Sequence, residues 1–413
     1  MRVEKFMMRA LGVLWVLLAV VCVGRSGHHI GHGVEARDNA ADDSDNNLSL
    51  VTSANKDFAF RLYKKLSDHS DSQGKNIFFS PASISAALAA LSVGARGETH
   101  QQLFSALGYS SSQLAQTDVD QAFRTLLANL TKGSAVFVDK LFKPKPEFLD
   151  VLKQSYSAEG FSVDFLNSTE AANTINQYVS DKTNGKINKL VESLDPNTVM
   201  YLLSYIYYKG EWEIPFVSLC TREDDFNVEE NKKVRVQMMT MEEDVSTYID
   251  QEIHTSVLHL PLRNLYSMLL LLPDNMTMLE NNISPAHVNK WMKSMELRVW
   301  NIFVPKFSIK TSSKLNDVLK GMGITDVFGD QANLSGLAEE KNLLVSEVVH
   351  QATLDVNEAG VSAAAVTGIR YVNYSGIEGP IPELKFNRPF MVIITERNAE
   401  NILFIGKIVN PII

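Results

Sequence analysis

The chain has 413 residues, 45% of them hydrophobic and 21% charged, which suffices for a large core and excludes a disordered or fibrous protein overall. A formal charge of −9 argues against non-specific binding to nucleic acid or anionic membranes. Only two cysteines occur, Cys22 and Cys220, so the core rather than disulfides has to hold the fold.

At the N-terminus Arg2, Lys5 and Arg9 precede the apolar run Leu11 to Val23, with Gly24 as a cleavage position. This predicts a signal peptide over residues 1–24 and a secreted, extracellular chain. The apolar run is short for a membrane span. Residues 25–50 are polar, acidic towards their end and poor in large apolar residues, which predicts a disordered acidic tail. His28, His29 and His32 in it are the only histidines spaced to touch one metal ion, weakly at most, and a solvated tail explains them better. With Cys22 removed, Cys220 is left as a lone thiol. Seven Asn-x-Ser/Thr sequons fit export: Asn47, Asn129, Asn167 and Asn275 as glycosylation candidates, with Asn282, Asn333 and Asn373. Residues 51–413 carry no linker, composition shift or repeat and read as a single domain.

Along that domain, Phe58, Leu62 and Leu66 share one helical face. Ile77 to Phe79 reads as a short strand, and Ser80-Pro81 starts an alanine-rich helix, apolar nearly all round and therefore buried in the middle of the protein. Thr99 is placed to cap the next helix. Ser134 to Phe142 and Phe161 to Phe165 read as strands, Pro146 to Ser157 and Ala171 to Val179 as helices. Val199 to Tyr208 is the most apolar β-rich run and predicts a central strand. Further strands are expected at 234–239, 259–262, 268–272, 297–303, 307–309, 343–356, 390–394 and 402–409, with a helix from Ser313 to Met322. Helices early and strands late make the class α+β, sheets packed on helices.

The stretch Glu358 to Ser375, EAGVSAAAVTGIRYVNYS, fits neither a buried strand nor an ordinary loop. Val361, Ala363, Ala365, Thr367, Ile369 and Tyr371 alternate as apolar or small residues, the pattern of a half-buried strand. Three consecutive alanines with Gly360 and Gly368 give little apolar area to anchor it, so strand and surface loop both remain open. The chemistry-bearing patterns are missing: there is no G-x-S-x-G, H-E-x-x-H, Walker loop or complete G-x-G-x-x-G. His350 lies in a long apolar context that suits a structural histidine. The chain therefore reads as something other than an enzyme, with no cofactor and no metal site.

In order along the chain, NIFFSPASI, INQYVSDKTNGKI, YYKGEWEIPF, VPKFSI, MGITDVF, FNRPFMVII and ILFIGKIVNP resemble the signatures of the serpin family. Tyr205 beside the KGEW motif is similar to the antitrypsin-like branch. The resemblance implies three β-sheets, eight or nine helices and an exposed reactive loop. It further implies a serine protease inhibitor acting as a suicide substrate: a protease cleaves the loop, whose N-terminal part inserts into the main sheet. On this alignment Glu358, Gly360 and Val361 with Ala363, Ala364 and Ala365 form the hinge and its small-residue run, and Tyr374-Ser375 is the reactive bond. About fourteen inserted residues at roughly 3.3 Å each would carry the acylated protease some tens of ångströms. Val361 stands where inhibitory members place Thr or Ser. Ser80, Ser83, Ser204 and His350 match the shutter beneath the sheet, with Ser204 in place of the usual Asn.

The reactive bond is similar to that of the branch member acting with protein Z, which implies factor Xa as target, protein Z and a phospholipid surface as partners, and factor XIa as a second protease. Tyr374 by itself predicts a chymotrypsin-like enzyme, whose primary pocket takes an aromatic side chain. A non-inhibitory carrier-type serpin is the competing class, but such loops often bear charged or bulky hinge residues and this one does not. Heparin stays open as a partner: the helix after Thr99 carries His100 and little other positive charge, and Lys232, Lys233 and Arg235 read as a solvated strand end. A monomer is expected.

Overall fold

The computed structural model describes residues 35–413 apart from 129–131, 184, 186, 188, 208–209, 264, 340–342, 362–379 and 398–400. Contacts divide the chain into two units, Met1–Asp43 and Ser44–Ile413. Of the first, residues 35–43 are described and are helical.

The second unit is built on two hydrogen-bonded sheet assemblies. Strands β1 (Ile77–Phe79), β2 (Lys132–Asp139), β3 (Ala158–Val163), β4 (Met200–Tyr207) and β5 (Gly210–Glu211) come from the first half of the chain. They are followed by β6 (Arg222–Glu229), β7 (Lys232–Asp250), β8 (Thr255–Pro261), β9 (Tyr266–Pro273), β10 (Glu296–Pro305) and β11 (Phe307–Lys314). The last are β12 (Glu347–Asn357), β13 (Gly360–Val361), β14 (Glu383–Lys385), β15 (Phe390–Glu396) and β16 (Ile402–Ile408). One assembly has seven strands in the order β3-β2-β4-β12-β13-β5, with β11 on the free side of β12. The other has nine, β1-β16-β15-β9-β8-β7-β10-β14, with β6 on β7. Strand β7, at 19 residues, joins two leaves of the larger one. Its first part pairs with β6, its middle with β10, and its end with β8. Two of the three expected sheets thus run together through one long strand.

Nine α-helices lie among the described residues. The first, α1 (Glu35–Asp68), is followed by α2 (Pro81–Gly94), which Ser80 caps by accepting from the Ser83 amide, with Pro81 at the first helical position. Every residue of α2 except Val93 is buried, and the helix touches β2, β4 and β16, so it is wedged between the two sheets. Its run of Ala and Ser is what allows that: small side chains let sheet residues approach the helix backbone on all sides. The other face of β2 and β4 is covered by a helix spanning Ser168–Lys182, whose Ala171, Ile175 and Val179 form a separate core with Phe137, Leu203, Tyr205 and Val349.

Three expectations differ from what is observed. The segment expected to stay unstructured to residue 50 is helical from Glu35, because Val51 is fully buried and Leu48 and Leu50 pack on the same core, anchoring a helix that runs back into the acidic stretch. The helix expected to be capped by Thr99 begins at Gly97, and the Thr99 hydroxyl instead accepts from the Asn333 amide at 3.0 Å. The helix expected from Ser313 is a short one, Asn316–Lys320, since β11 continues to Lys314 along the edge of β12. Residues 1–34, with the expected signal peptide, lie outside the described residues.

Candidate functional site

The site lies where β4 and β12 meet and where β12 turns into the Glu358 stretch. The two strands are parallel neighbours, with Tyr201 opposite Glu347, Ser204 opposite His350 and Tyr207 opposite Thr353. Continued in step, this ladder would set Gly210 opposite Val356. Both residues pair with Val361 instead. Between the upper ends of the two strands, β13 runs antiparallel to each, so one rung of an additional strand is already in the sheet.

The reversal that delivers β13 spans Asn357 to Gly360. Asn357 Oδ1 accepts from the Ala359 amide at 3.0 Å, a side-chain turn of the kind asparagine favours. Gly360 has φ +145°, and a Cβ there would sit 2.3 Å from the Gly210 carbonyl oxygen and 2.7 Å from Glu211 Cα, so only glycine fits. Trp212 donates its indole N–H to Asn357 O at 2.9 Å and its amide to Ala359 O at 3.0 Å, while the Phe216 amide donates to Glu358 O at 2.8 Å. The Glu358 carboxylate takes Lys306 Nζ at 3.1 Å and the Thr221 hydroxyl at 2.9 Å. Burial pushes this carboxyl up, but its own backbone amide, Lys306 and Thr221 outweigh burial and hold it below the usual carboxylate range. Val361 is fully buried in the core shared by Trp212, Phe307, Leu354 and Val356. Ala363, Ala364, Ala365, Tyr374 and Ser375 lie outside the described residues.

Below the turn, Ser80, Ser83, Ser204 and His350 come together around the N-terminus of α2, each at most 1% exposed. The Ser80 amide donates to His350 Nε2 at 3.0 Å. An amide can only donate, so Nε2 is the unprotonated nitrogen and Nδ1 carries the hydrogen. Nδ1 then donates to Ser204 Oγ at 3.1 Å, and Ser204 Oγ lies 2.6 Å from Ser83 Oγ. Serine therefore makes the cross-strand hydrogen bond at position 204. Burial pushes the His350 imidazole down to about 3, so the ring is neutral at neutral pH.

Trp212, Thr221 and Lys306, which grip the turn, were not singled out from sequence; the KGEW and VPKFSI segments that carry two of them were noted only as signatures. Lys233 and Arg235 are paired across the β6–β7 ladder with Asp225 and Glu223 at 2.7 to 3.5 Å, which neutralises much of that basic cluster. Asn167 and Asn275 are exposed helix N-caps, Asn47 is half-buried on α1, and Asn129 lies outside the described residues. Cys220 is exposed, one residue before Thr221.

Comparison with known proteins agrees with this geometry. A family profile described as serpin (serine protease inhibitor) matches residues 53–411. The chain is 41% identical over 392 residues to a serine protease inhibitor of Mus musculus, covering 91% of this chain and 92% of that one. It is 36% identical over 374 residues to alpha-1-antichymotrypsin of Pongo abelii, covering 87% of this chain and 88% of that one. Among solved structures it is similar to human thyroxine-binding globulin complexed with thyroxine, with a TM-score of 0.83 and 34% identity over 89% of this chain and all of that one. It is also similar to mouse protein-Z dependent protease inhibitor, with a TM-score of 0.79 and 31% identity over 88% of this chain and 97% of that one. With the profile spanning most of its length and a relative of this identity matched nearly end to end, the chain belongs to the serpin family.

Proposed function

We propose that the chain is a secreted suicide-substrate inhibitor of serine proteases, cleaved at Tyr374-Ser375 and trapped as an ester when the freed loop enters the sheet between β4 and β12. The protease serine attacks the Tyr374 carbonyl, the Ser375 amine leaves, and the acyl-enzyme hangs on the C-terminal end of the segment that follows Val361. The observation that carries the reading is the rung already seated between Val356 and Gly210. Extending its antiparallel register sets Ala363 opposite Leu354, Ala365 opposite Ala352, and Thr367 opposite both His350 and Ser204. The small, uncharged residues of the alternating set fall on the buried face that Leu354 and Ala352 occupy. Thr367 arrives where the Ser204–His350 hydrogen bond must part, with a hydroxyl able to accept the freed Nδ1–H. Arg370 falls on the other set, facing outward.

Two target readings follow from different observations. Tyr374 matches the hydrophobic primary pocket of chymotrypsin-like enzymes, and the similarity to alpha-1-antichymotrypsin supports the same class. The resemblance at the reactive bond and the similarity to mouse protein-Z dependent protease inhibitor support factor Xa, acting with protein Z and a phospholipid surface. The likeness to thyroxine-binding globulin keeps a carrier in view, but the small, uncharged residues that alternate after Gly360 favour inhibition. The discriminating experiment incubates the protein with chymotrypsin and with factor Xa, the latter with and without protein Z and lipid. An SDS-stable band near the summed mass supports inhibition and assigns the target; clean cleavage with no such band overturns it. The Asn373 sequon spans the bond and a glycan there would block docking, so peptide mapping of the secreted protein should find Asn373 unmodified.

A further inference from the structure

Strands β2 and β3 are parallel neighbours that end together, with Asp139 opposite Val163, and the chain leaves them in two adjacent loops. Those loops are pinned to each other. The Lys140 amide donates to Val163 O at 2.8 Å and the Lys140 ammonium pairs with the Asp164 carboxylate. The Asp139 carboxylate accepts from the Leu141 amide at 3.0 Å and from the Phe165 amide at 3.3 Å. Of the apolar residues in the two loops, Phe165 is fully buried and Phe142 packs on the main core. Leu141 and Leu166 beside them point out, 71% and 72% exposed. A single exposed leucine is ordinary, but two held in neighbouring, hydrogen-bonded loops make a rigid apolar surface that calls for a cover.

The residue that follows Leu166 is Asn167, the first of Asn167-Ser168-Thr169. Among the described residues it is the one sequon asparagine with an exposed large apolar residue next to it in the chain. It caps the helix Ser168–Lys182, and its side chain is fixed: Oδ1 accepts from the Glu170 amide at 3.4 Å, and Nδ2 donates to Glu170 Oε2 at 2.7 Å. Its own amide donates to Asp164 O at 3.1 Å. A sugar on Nδ2 replaces one of two amide hydrogens, leaving the other for Glu170 and leaving the Oδ1 cap untouched. Thr169 is exposed and carries the hydroxyl that the acceptor motif requires.

We propose that Asn167 carries an N-linked oligosaccharide whose first sugars lie over Leu166 and Leu141 and keep this face from associating with other molecules. The step is an oligosaccharyl transfer from a lipid-linked diphosphate donor. A bond forms between Nδ2 and C1 of the reducing-end sugar, the C1–O bond to the diphosphate breaks, Nδ2 loses a proton, and the lipid diphosphate leaves. Sugar rings offer C–H faces to apolar side chains and hydroxyls to water, so the cover makes the leucine pair soluble. The proposal rests on the reading that the chain is secreted and is independent of any protease target.

The test expresses the full chain in mammalian cells and maps the peptides of the secreted protein. The Asn167 peptide should be recovered with its glycan, and an amide-cleaving glycosidase should convert residue 167 to aspartate. Thr169→Ala removes the acceptor hydroxyl and keeps the Asn167 cap; it should lose one glycan-sized step on a gel and associate with rising concentration in sedimentation velocity. Adding Leu141→Ser and Leu166→Ser to Thr169→Ala should restore the sedimentation of wild type. A bare Asn167 on secreted protein whose other sequons are occupied overturns the site. Retention in the cell with every sequon bare refutes the export reading and the proposal with it. A glycosylated Asn167 with a Thr169→Ala variant that sediments as wild type overturns the covering role, as does association that the two serine substitutions do not relieve.

Discussion

Acidification gives the buried cluster of Ser80, Ser83, Ser204 and His350 a signature that can be worked out in advance. His350 is buried with its Nδ1–H on Ser204 and its Nε2 accepting from the Ser80 amide, and burial lowers its pKa from 6.5 to about 3. Below pH 6.5 the unfolded chain takes up a proton that the folded one refuses. Stability present above 6.5 is therefore lost as the pH falls, with a slope approaching 1.36 kcal/mol per unit until the folded pKa near 3 is reached. At pH 5 the loss from this one group is about 2 kcal/mol. His259, half-buried and lowered to about 4 chiefly by desolvation, acts in the same direction. The assay is urea unfolding of the uncleaved protein at pH 7, 6 and 5, for wild type and for His350→Asn. The variant is expected to be less stable at pH 7, because it loses the bridge between α2 and β12. Its stability should nevertheless fall by about 2 kcal/mol less between pH 7 and 5 than that of wild type. Equal pH slopes in the two proteins would refute the argument, whatever their absolute stabilities.

Other changes follow from the same geometry. Ser204→Ala leaves the His350 Nδ1–H without its acceptor, and its urea midpoint at pH 7 should correspond to a loss of about 1–3 kcal/mol. Gly360→Ala drives a Cβ into the Gly210 and Glu211 backbone, so the turn should be expelled, seen as new cleavage after Glu358 by a glutamate-specific protease that spares wild type. Lys407 and Glu280, only 10% and 13% exposed at the side chain, form an ion pair at 2.7 Å that also holds the Tyr63 hydroxyl. Lys407→Met strands the carboxylate, and calorimetry should report a loss on the order of 3–5 kcal/mol.

Much of this architecture was legible in local chemistry. The Ser80-Pro81 start and small-residue composition of α2 give a capped helix that tolerates neighbours all round, and it lies wedged between the sheets. The apolar run that became β4 reads as a central strand because both faces of a covered sheet are buried. The α1 extension was not legible, because nothing in the acidic stretch announces that Leu48, Leu50 and Val51 have a core to reach. Nor was the grip on the turn: Thr221, Lys306 and Trp212 converge on Glu358 and Asn357 from three separate strand ends, and such long-range convergence leaves no periodicity to read. The ambiguity of the Glu358 stretch, by contrast, was itself the signal. Its alternating small residues suit a strand, its glycines and alanines suit a loop, and Gly360 and Val361 are already paired on both sides.

The central claim is that the segment following Val361 becomes a strand of the sheet once the loop is cut. Thermal unfolding of the protein before and after a single loop cleavage, with both fragments retained, tests it without reference to any particular target. A cleaved form that melts well above the uncleaved one, with new amide protection along β4 and β12, is the result this account predicts. A cleaved form that melts at or below the uncleaved temperature, with the freed segment exchanging as an open chain, would contradict it.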